Sequence, residues 1–195
     1  MIVRDSAEDQ LKELAIRAIN GDRRAYGRIF RECHEDIYDY IIRKVGNRSD
    51  AEDLTMQVFA RGLKAIGTYE ERGLSIRPWL YKIAHNAVVD YLRMQKHPVD
   101  IEEVVAELAD ETDVAEEMLT REDLENIYRE IYNLPDAQSE VLILRFLKDL
   151  SISETAIVLD KKEVTVRALQ FKGIKNLRRK LNGQPESNSK LIAVG

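Results

Sequence analysis

Apolar side chains recur three and four residues apart through almost every long segment of this chain. No segment shows the every-second-residue rhythm of a half-buried strand. Leu11, Leu14, Ala15, Ala18 and Ile19 mark one helical stripe, and Ile29, Phe30, Cys33, Ile37, Tyr40 and Ile41 mark a second. Ser49 followed by Glu52 has the spacing of a capping box, which predicts a helix start that turns Leu54, Val58, Leu63 and Ile66 inward. Residues 68–78, with Gly73 and Pro78, read as a loop. From Trp79 to about Met94 the helical spacing resumes through Leu80, Ile83, Ala84 and Ala87. The sequence therefore predicts an all-α fold.

Breaks and charge divide that helical chain in two. His97-Pro98 stops the first bundle, because the residue before proline is biased out of the helical region. Residues 100–125 carry 12 acidic side chains and one basic, a net −11. A second helical unit opens near Leu119 and runs through Leu124, Ile127, Tyr128 and Ile131 to a break at Leu134-Pro135. A helix with Val141, Leu142 and Leu144 follows. Two short helices come next, opened by capping boxes at Ser151/Glu154 and Asp160/Glu163. The expected organisation is two small helical domains, 1–97 and 119–182, an acidic linker over 98–118, and a disordered tail over 183–195. At 195 residues and 44% hydrophobic, the chain has the material for two such cores.

Several functional classes drop out early. Neither the phosphate-cradling GxxxxGK[ST] nor GxGxxG occurs, since Thr68 stands where the lysine would follow Gly62 and Gly67. His34, His85 and His97 have no metal-ligand spacing with one another or with Cys33, which lies on an apolar stripe and reads as core. His34, a third of a turn away, reads as a surface side chain. The carboxylates are many, but none is set apart as a catalytic pair. Neither enzyme chemistry, metal nor cofactor is expected. The amino terminus lacks a signal-like apolar run, and no window approaches about 18 consecutive apolar residues. The expectation is a soluble cytoplasmic protein without membrane insertion.

Charge is more informative. Residues 143–182 hold 10 basic and 4 acidic side chains, a net +6 that suits a polyanion partner. There, two short helices joined at Leu159-Asp160-Lys161 have the scale of a helix-turn-helix. Ile152, Ala156 and Leu159 would pack the first. Val166, Leu169, Gly173 and Leu177 would pack the second and leave Ala168, Phe171, Lys172 and Lys175 outward, with Arg167 beside them. Such a face suits a DNA major groove, although an amphipathic helix with a solvated basic face has the same pattern. In the first unit, Trp79, Tyr81, Asn86 and Tyr91 lie near Arg77, Lys82 and Arg93. Aromatic rings among cations suit unpaired bases, the alternative being that Trp79 anchors the core. The acids Asp50, Glu52 and Asp53 fall at a helix start, where negative charge is favourable in any case.

These residues resemble a known family. Asp50-Ala-Glu-Asp-Leu-Thr-Met-Gln-Val-Phe59, Trp79-Leu-Tyr-Lys-Ile-Ala-His-Asn86 and Asp90-Tyr-Leu-Arg93 resemble region 2 of the extracytoplasmic-function (ECF) sigma factors, sigma-70 family subunits of bacterial RNA polymerase. Leu150-Ser-Ile-Ser-Glu-Thr-Ala156, Thr165-Val-Arg167 and Leu177-Arg178 resemble region 4. The resemblance implies a non-enzymatic initiation factor that binds core polymerase, recognises the minus-ten and minus-thirty-five promoter elements and helps melt DNA. It implies core binding by Asp50, Glu52, Asp53 and Gln57 on the clamp helices of the largest subunit. The second-largest subunit would meet the protein through its flap. Tyr69, Arg72, Arg77, Trp79, Lys82, Asn86 and Arg93 would serve the minus-ten element. Thr165, Arg167, Ala168, Phe171, Lys172 and Lys175 would serve the minus-thirty-five element. An anti-sigma factor is a further implied partner. Asp160 stands where the family usually has glycine, and aspartate tolerates positive φ better than most residues. A helix-turn-helix regulator acting on duplex operator without polymerase is the alternative function. A helical adaptor with no DNA role leaves the +6 segment unexplained.

Overall fold

The computed structural model describes residues 2–69, 75–95 and 121–182, and all regular structure among them is helical. The chain divides into two units, one made mainly of residues 1–104 and the other mainly of residues 105–195. Residues 96–120 and 183–195 lie outside the described residues, and with them the break at His97-Pro98, the acidic linker and the tail.

The first unit packs α1 (Ile2–Ile19), α2 (Arg23–Val45), α3 (Arg48–Ala65) and α4 (Arg77–Met94) around one core, with a 3-10 turn at Ile66–Thr68. Both predicted stripes on α1 and α2 face inward. The junctions follow from single residues. Gly21 takes φ +92°, and Asp22 then caps α2 by accepting from the Arg24 and Ala25 amides at 2.9 and 3.1 Å. Gly46, at φ 70°, ends α2 by donating its N–H to the Ile42 carbonyl.

The cap of α3 differs from the sequence expectation. Asn47, extended after the left-handed Gly46, accepts from the Asp50 amide at 3.0 Å. Ser49 is already helical, and Glu52 pairs with Arg48 rather than closing a capping box. Leu63 is also corrected: it is 45% exposed, and Gly62 takes the buried position one residue earlier. There a side chain would collide with the Tyr26 hydroxyl, which donates to the Phe59 carbonyl at 2.7 Å. The expected loop ends sooner than Pro78, because α4 begins at Arg77 and takes Pro78 into its first turn, where a missing N–H costs nothing. Ile76, fully buried, and the Ser75 hydroxyl, which accepts from the Arg77 amide, fix that start.

The second unit holds α5 (Arg121–Tyr132), α6 (Asp136–Leu142), a π-helical turn at Ile143–Leu147, α7 (Ile152–Leu159) and α8 (Glu163–Asn182). Pro135 opens α6 as expected, and Val141, Leu142, Ile143 and Leu144 are buried. Removing each such side chain from water contributes about 1.5–3 kcal/mol. Gly173 lets α8 close on α6, since a Cβ there would lie 3.1 Å from Leu142. Asn176 donates to Gln138 at 2.8 Å, and Lys180 reaches Glu130 and the Asn133 carbonyl, both at 3.1 Å.

The Ser151/Glu154 box forms in both directions, Ser151 N–H to Glu154 at 2.7 Å and Glu154 N–H to Ser151 at 3.2 Å. The second expected box does not form. Asp160 instead sits at φ 51° and terminates α7, with the Lys161 amide bonded back to the Ala156 carbonyl, while α8 waits until Glu163. A left-handed residue cannot also be the extended cap of the next helix.

Candidate nucleic-acid and partner interfaces

The acidic run occupies the first turns of α3, and its members have different fates. Asp50 accepts from the Tyr91 hydroxyl of α4 at 2.6 Å, and Gln95 donates to that same hydroxyl. Partial burial, followed by the bond to Asp50, pushes the Tyr91 phenol up to about 12. Glu52 sits in an exposed pair with Arg48 at 3.1 Å. Asp53 and Gln57 are exposed and make no ion pair or hydrogen bond among the described residues, and Met56 is exposed between them. A carboxylate that is free beside an exposed methionine is the part of this run best placed to meet a partner.

The α4 surface is organised by helical geometry. At 100° per residue, Lys82, Asn86 and Arg93 fall within about 60° of Trp79. Asn86 and Arg93 are exposed, and Trp79 and Lys82 half-buried. The Tyr69 ring lies 5.4 Å from that of Trp79, tilted by 59°. Residues 70–74, including the candidate Arg72, lie outside the described residues.

Three sequence expectations change here. Tyr81 is 2% exposed, packed edge-on against Tyr40 at 5.5 Å, so it belongs to the core and presents no ring to a base. Arg77 falls about 160° around α4 from Trp79 and pairs with Glu8 of α1 and Asp36 of α2 instead of joining the basic surround. His34 is half-buried rather than a plain surface residue, lying among the rings of Phe30, Tyr38 and Phe59.

On α8 the two predicted faces separate as expected. Val166 and Gly173 are buried and Leu169 and Leu177 half-buried. Thr165, Arg167, Ala168, Phe171, Lys172 and Lys175 are all exposed, Phe171 to 71%. Among the described residues Arg167 makes only an exposed contact with Glu163 at 3.4 Å, a weak tether for its guanidinium. The residue-by-residue sequence reading missed Lys161 and Lys162 before the helix and Arg179 on the same outward arc, all exposed. Arg179 was legible from the helical spacing, four residues after Lys175, whereas Lys161 and Lys162 precede the helix and their signal lay only in the segment charge. Among the described residues no His, Cys, Asp or Glu cluster could hold a metal, and no helix is long and apolar enough to cross a membrane. Burial raises the Cys33 thiol to about 12, so it is a thiol rather than a thiolate near neutral pH.

Comparison with known proteins finds a family match in each unit. Residues 29–97 match the Sigma-70 region 2 family, and residues 131–179 match the Sigma-70, region 4 family. The ECF RNA polymerase sigma factor BldN of Streptomyces coelicolor is 34% identical over 179 residues, covering 91% of this chain and 68% of BldN. The chain belongs to the ECF sigma factors. SigX of Bacillus subtilis, another ECF sigma factor, is also 34% identical, over 75% of this chain and 78% of SigX. Two solved structures share the fold at lower identity. CnrH in complex with the cytosolic domain of CnrY has a TM-score of 0.66 at 20% identity, covering 90% of this chain and 99% of that one. The sigma factor RpoE in complex with the anti-sigma factor NepR from Bartonella quintana has a TM-score of 0.61 at 16%, covering 80% and 96%. As a sigma factor the chain is an RNA polymerase factor for promoter recognition, and the reading as a polymerase-independent operator regulator is not favoured.

Proposed function

We propose that this sigma factor docks on core RNA polymerase through the start of α3, holds an unpaired minus-ten base against α4, and reads the minus-thirty-five element with α8. The observation that carries the reading is the shared face of Trp79, Lys82, Asn86 and Arg93, with Tyr69 against Trp79 at one end. A ring pair supplies a stacking surface, an exposed amide can meet a base edge, and the two cations can meet flanking phosphates. Extruding a base costs a few kcal/mol, so contacts available only to the unstacked base favour the melted promoter. Region 4 works on intact duplex: α8 enters the major groove, Arg167 reads base edges, and Lys172 and Lys175 lie nearer the phosphates.

On the polymerase side, Asp53 and Gln57 are the leading contacts to the clamp helices of the largest subunit, with Asp50 and Glu52 beside them. The second unit meets the flap of the second-largest subunit. The protein works in the cytoplasm without membrane insertion, metal or cofactor, and has no catalysis of its own. An anti-sigma factor is a further proposed partner, as NepR is for RpoE in the solved complex. The linker over 98–118, acidic and joining two promoter-binding units, completes the proposal.

Run-off transcription with core enzyme tests the whole reading. Asn86→Ala is expected to slow open-complex formation on duplex promoter and to recover in part on a template already melted across the minus-ten element. Equal loss on both templates would remove Asn86 from base capture.

A further inference from the structure

Arg77 is the first residue of α4, and its side chain is only 26% exposed. Nη1 donates to Asp36 Oδ2 on α2. Nε lies 3.0 Å from Glu8 Oε1 on α1, at an angle too oblique for a hydrogen bond, so that contact is an ion pair. The other Glu8 oxygen is buried and takes no hydrogen bond among the described residues. One guanidinium thus joins three helices where α4 begins, two residues before Trp79 and on the opposite side of the helix from it. Glu8 and the rest of α1 precede the region 2 match, which starts at residue 29.

We propose that Glu8, Asp36 and Arg77 form a clamp that sets the rotation of α4 about its own axis, which makes α1 a positioning element for promoter opening. A helix held at its first turn by two carboxylates from different helices cannot roll without separating charges, in a site where the Arg77 and Glu8 side chains are mostly shielded and that of Asp36 is 45% exposed. Rolling α4 would carry Trp79, Lys82 and Asn86 away from the base they hold together. Arg77 therefore acts through these residues and touches no DNA. The inference rests on the minus-ten reading of the α4 face.

The test uses the full chain with core enzyme, comparing Glu8→Gln, Asp36→Asn, Arg77→Ala and, as a control on the reading beneath, Asn86→Ala. Open-complex rates are measured on duplex and pre-melted promoters across a salt series, at a temperature where Trp79 fluorescence shows each variant folded. The clamp predicts that Glu8→Gln and Asp36→Asn slow opening about 3- to 10-fold on duplex, with partial rescue on the melted template and an unchanged salt slope. Arg77→Ala should show the same pattern. If Arg77→Ala instead flattens the salt slope by about one, while Glu8→Gln and Asp36→Asn open normally, Arg77 is a phosphate contact and the clamp is wrong. Normal opening in Glu8→Gln and Asp36→Asn alongside a defective Asn86→Ala rejects the clamp alone. Normal opening in all four variants rejects the base-holding reading and the clamp with it.

Discussion

The first unit holds part of its functional surface by internal contacts, with Asp53, Asn86 and Arg93 left exposed, whereas the second leaves its proposed DNA-reading side chains in solvent. In the first, Asp50 is bonded to Tyr91 and Trp79 is set against Tyr69, while Arg77 binds two carboxylates. In the second, Phe171, Lys172 and Lys175 are exposed along α8, and Arg167 has, among the described residues, only an exposed contact to Glu163. The difference matches the two tasks proposed. A flipped base needs a surface whose shape exists before the base arrives, because contacts must offset the cost of unstacking at once. A duplex groove is already formed, so solvated side chains can adjust to it as they meet base edges and phosphates. Packing does the positioning in the first unit, and in the second the rigid helix does it.

Charge reversal at the polymerase surface gives the largest expected effect. Asp53 is free of the internal bonds that hold Asp50, so the comparison predicts that Asp53→Lys removes affinity without disturbing the fold. Disrupting a charge pair that is buried and hydrogen-bonded in the interface costs roughly 2–5 kcal/mol, whereas a rim charge changes mainly the on-rate and salt dependence. Exposed substitutions usually change stability by within about 0.5 kcal/mol. A core-binding titration by anisotropy, beside thermal unfolding of the free protein, measures both. Unchanged core affinity would move the contact away from α3.

Next in size is the recognition helix. Arg167→Ala is expected to relax preference at one or two upstream base pairs, at about 1–3 kcal/mol if its guanidinium pairs with guanine. Lys175→Ala should weaken all sequences evenly and flatten the salt dependence by about one. Competition against a set of single-base promoter variants separates the two. An unchanged preference in Arg167→Ala would make it a positioning contact and blur the contrast between the units.

Glycine packing compares the cores directly. A methyl on Gly62 lands on the Tyr26 hydroxyl, which is held by its bond to Phe59, whereas at Gly173 the three nearest atoms all belong to the Leu142 side chain, at 3.1–3.3 Å. Overpacking a rigid site costs about 1–3 kcal/mol, and alanine returns about 1 kcal/mol of helix propensity at either position. Gly62→Ala should therefore destabilise by up to about 2 kcal/mol, and Gly173→Ala by about 0.5 kcal/mol or less. The Tyr26→Phe/Gly62→Ala double variant should be more stable than the two single losses predict, because the colliding oxygen is gone. Denaturant curves followed by the single Trp79 report the first unit, and helical ellipticity reports both.

Helical spacing made the fold legible. The buried residues of α1, α2, α6 and α8 follow it closely, and so does the outward face of α8, because both depend on local geometry that a sequence carries. Junctions were less legible. At the start of α3, Ser49/Glu52 and Asn47 both have capping chemistry, and the left-handed Gly46 decided for Asn47. The inward expectation for Leu63 runs against the spacing itself, since it falls about 180° around α3 from Leu54, while Gly62 shares the buried side and must be small because of Tyr26, 36 residues away in sequence. Arg77 and Tyr81 looked like part of an aromatic and basic surface, but each found its partner on another helix, Arg77 on α1 and α2 and Tyr81 on α2. Spacing reveals which side of a helix is apolar. It does not reveal which polar residues the other helices will claim.

The smallest expected effect concerns the caps, where the two units again differ. Asp22 caps α2 as a carboxylate, and its pKa is lowered by the Arg17 hydrogen bond first and then by the Ala25 amide. A lowered folded pKa means that this group adds stability above its unfolded value. The contribution fades as pH falls from there through the folded pKa, so the window lies near and below about pH 4. The hydroxyl of Ser151, which accepts from the Glu154 amide at the start of α7, does not titrate in this range. Asp22→Asn keeps a good capping oxygen at every pH but loses the charge that attracts Arg17. It should be nearly neutral at pH 7 and should flatten the acid limb of the first unit's unfolding, read by Trp79 fluorescence between pH 5 and 3 in steps of about half a unit. Ser151→Ala should lower stability by about 1 kcal/mol at pH 7, carried by the second unit and therefore seen in helical ellipticity rather than in Trp79. If Asp22→Asn leaves the acid limb as steep as before, the Arg17–Asp22 contact is not the source of the first unit's acid sensitivity.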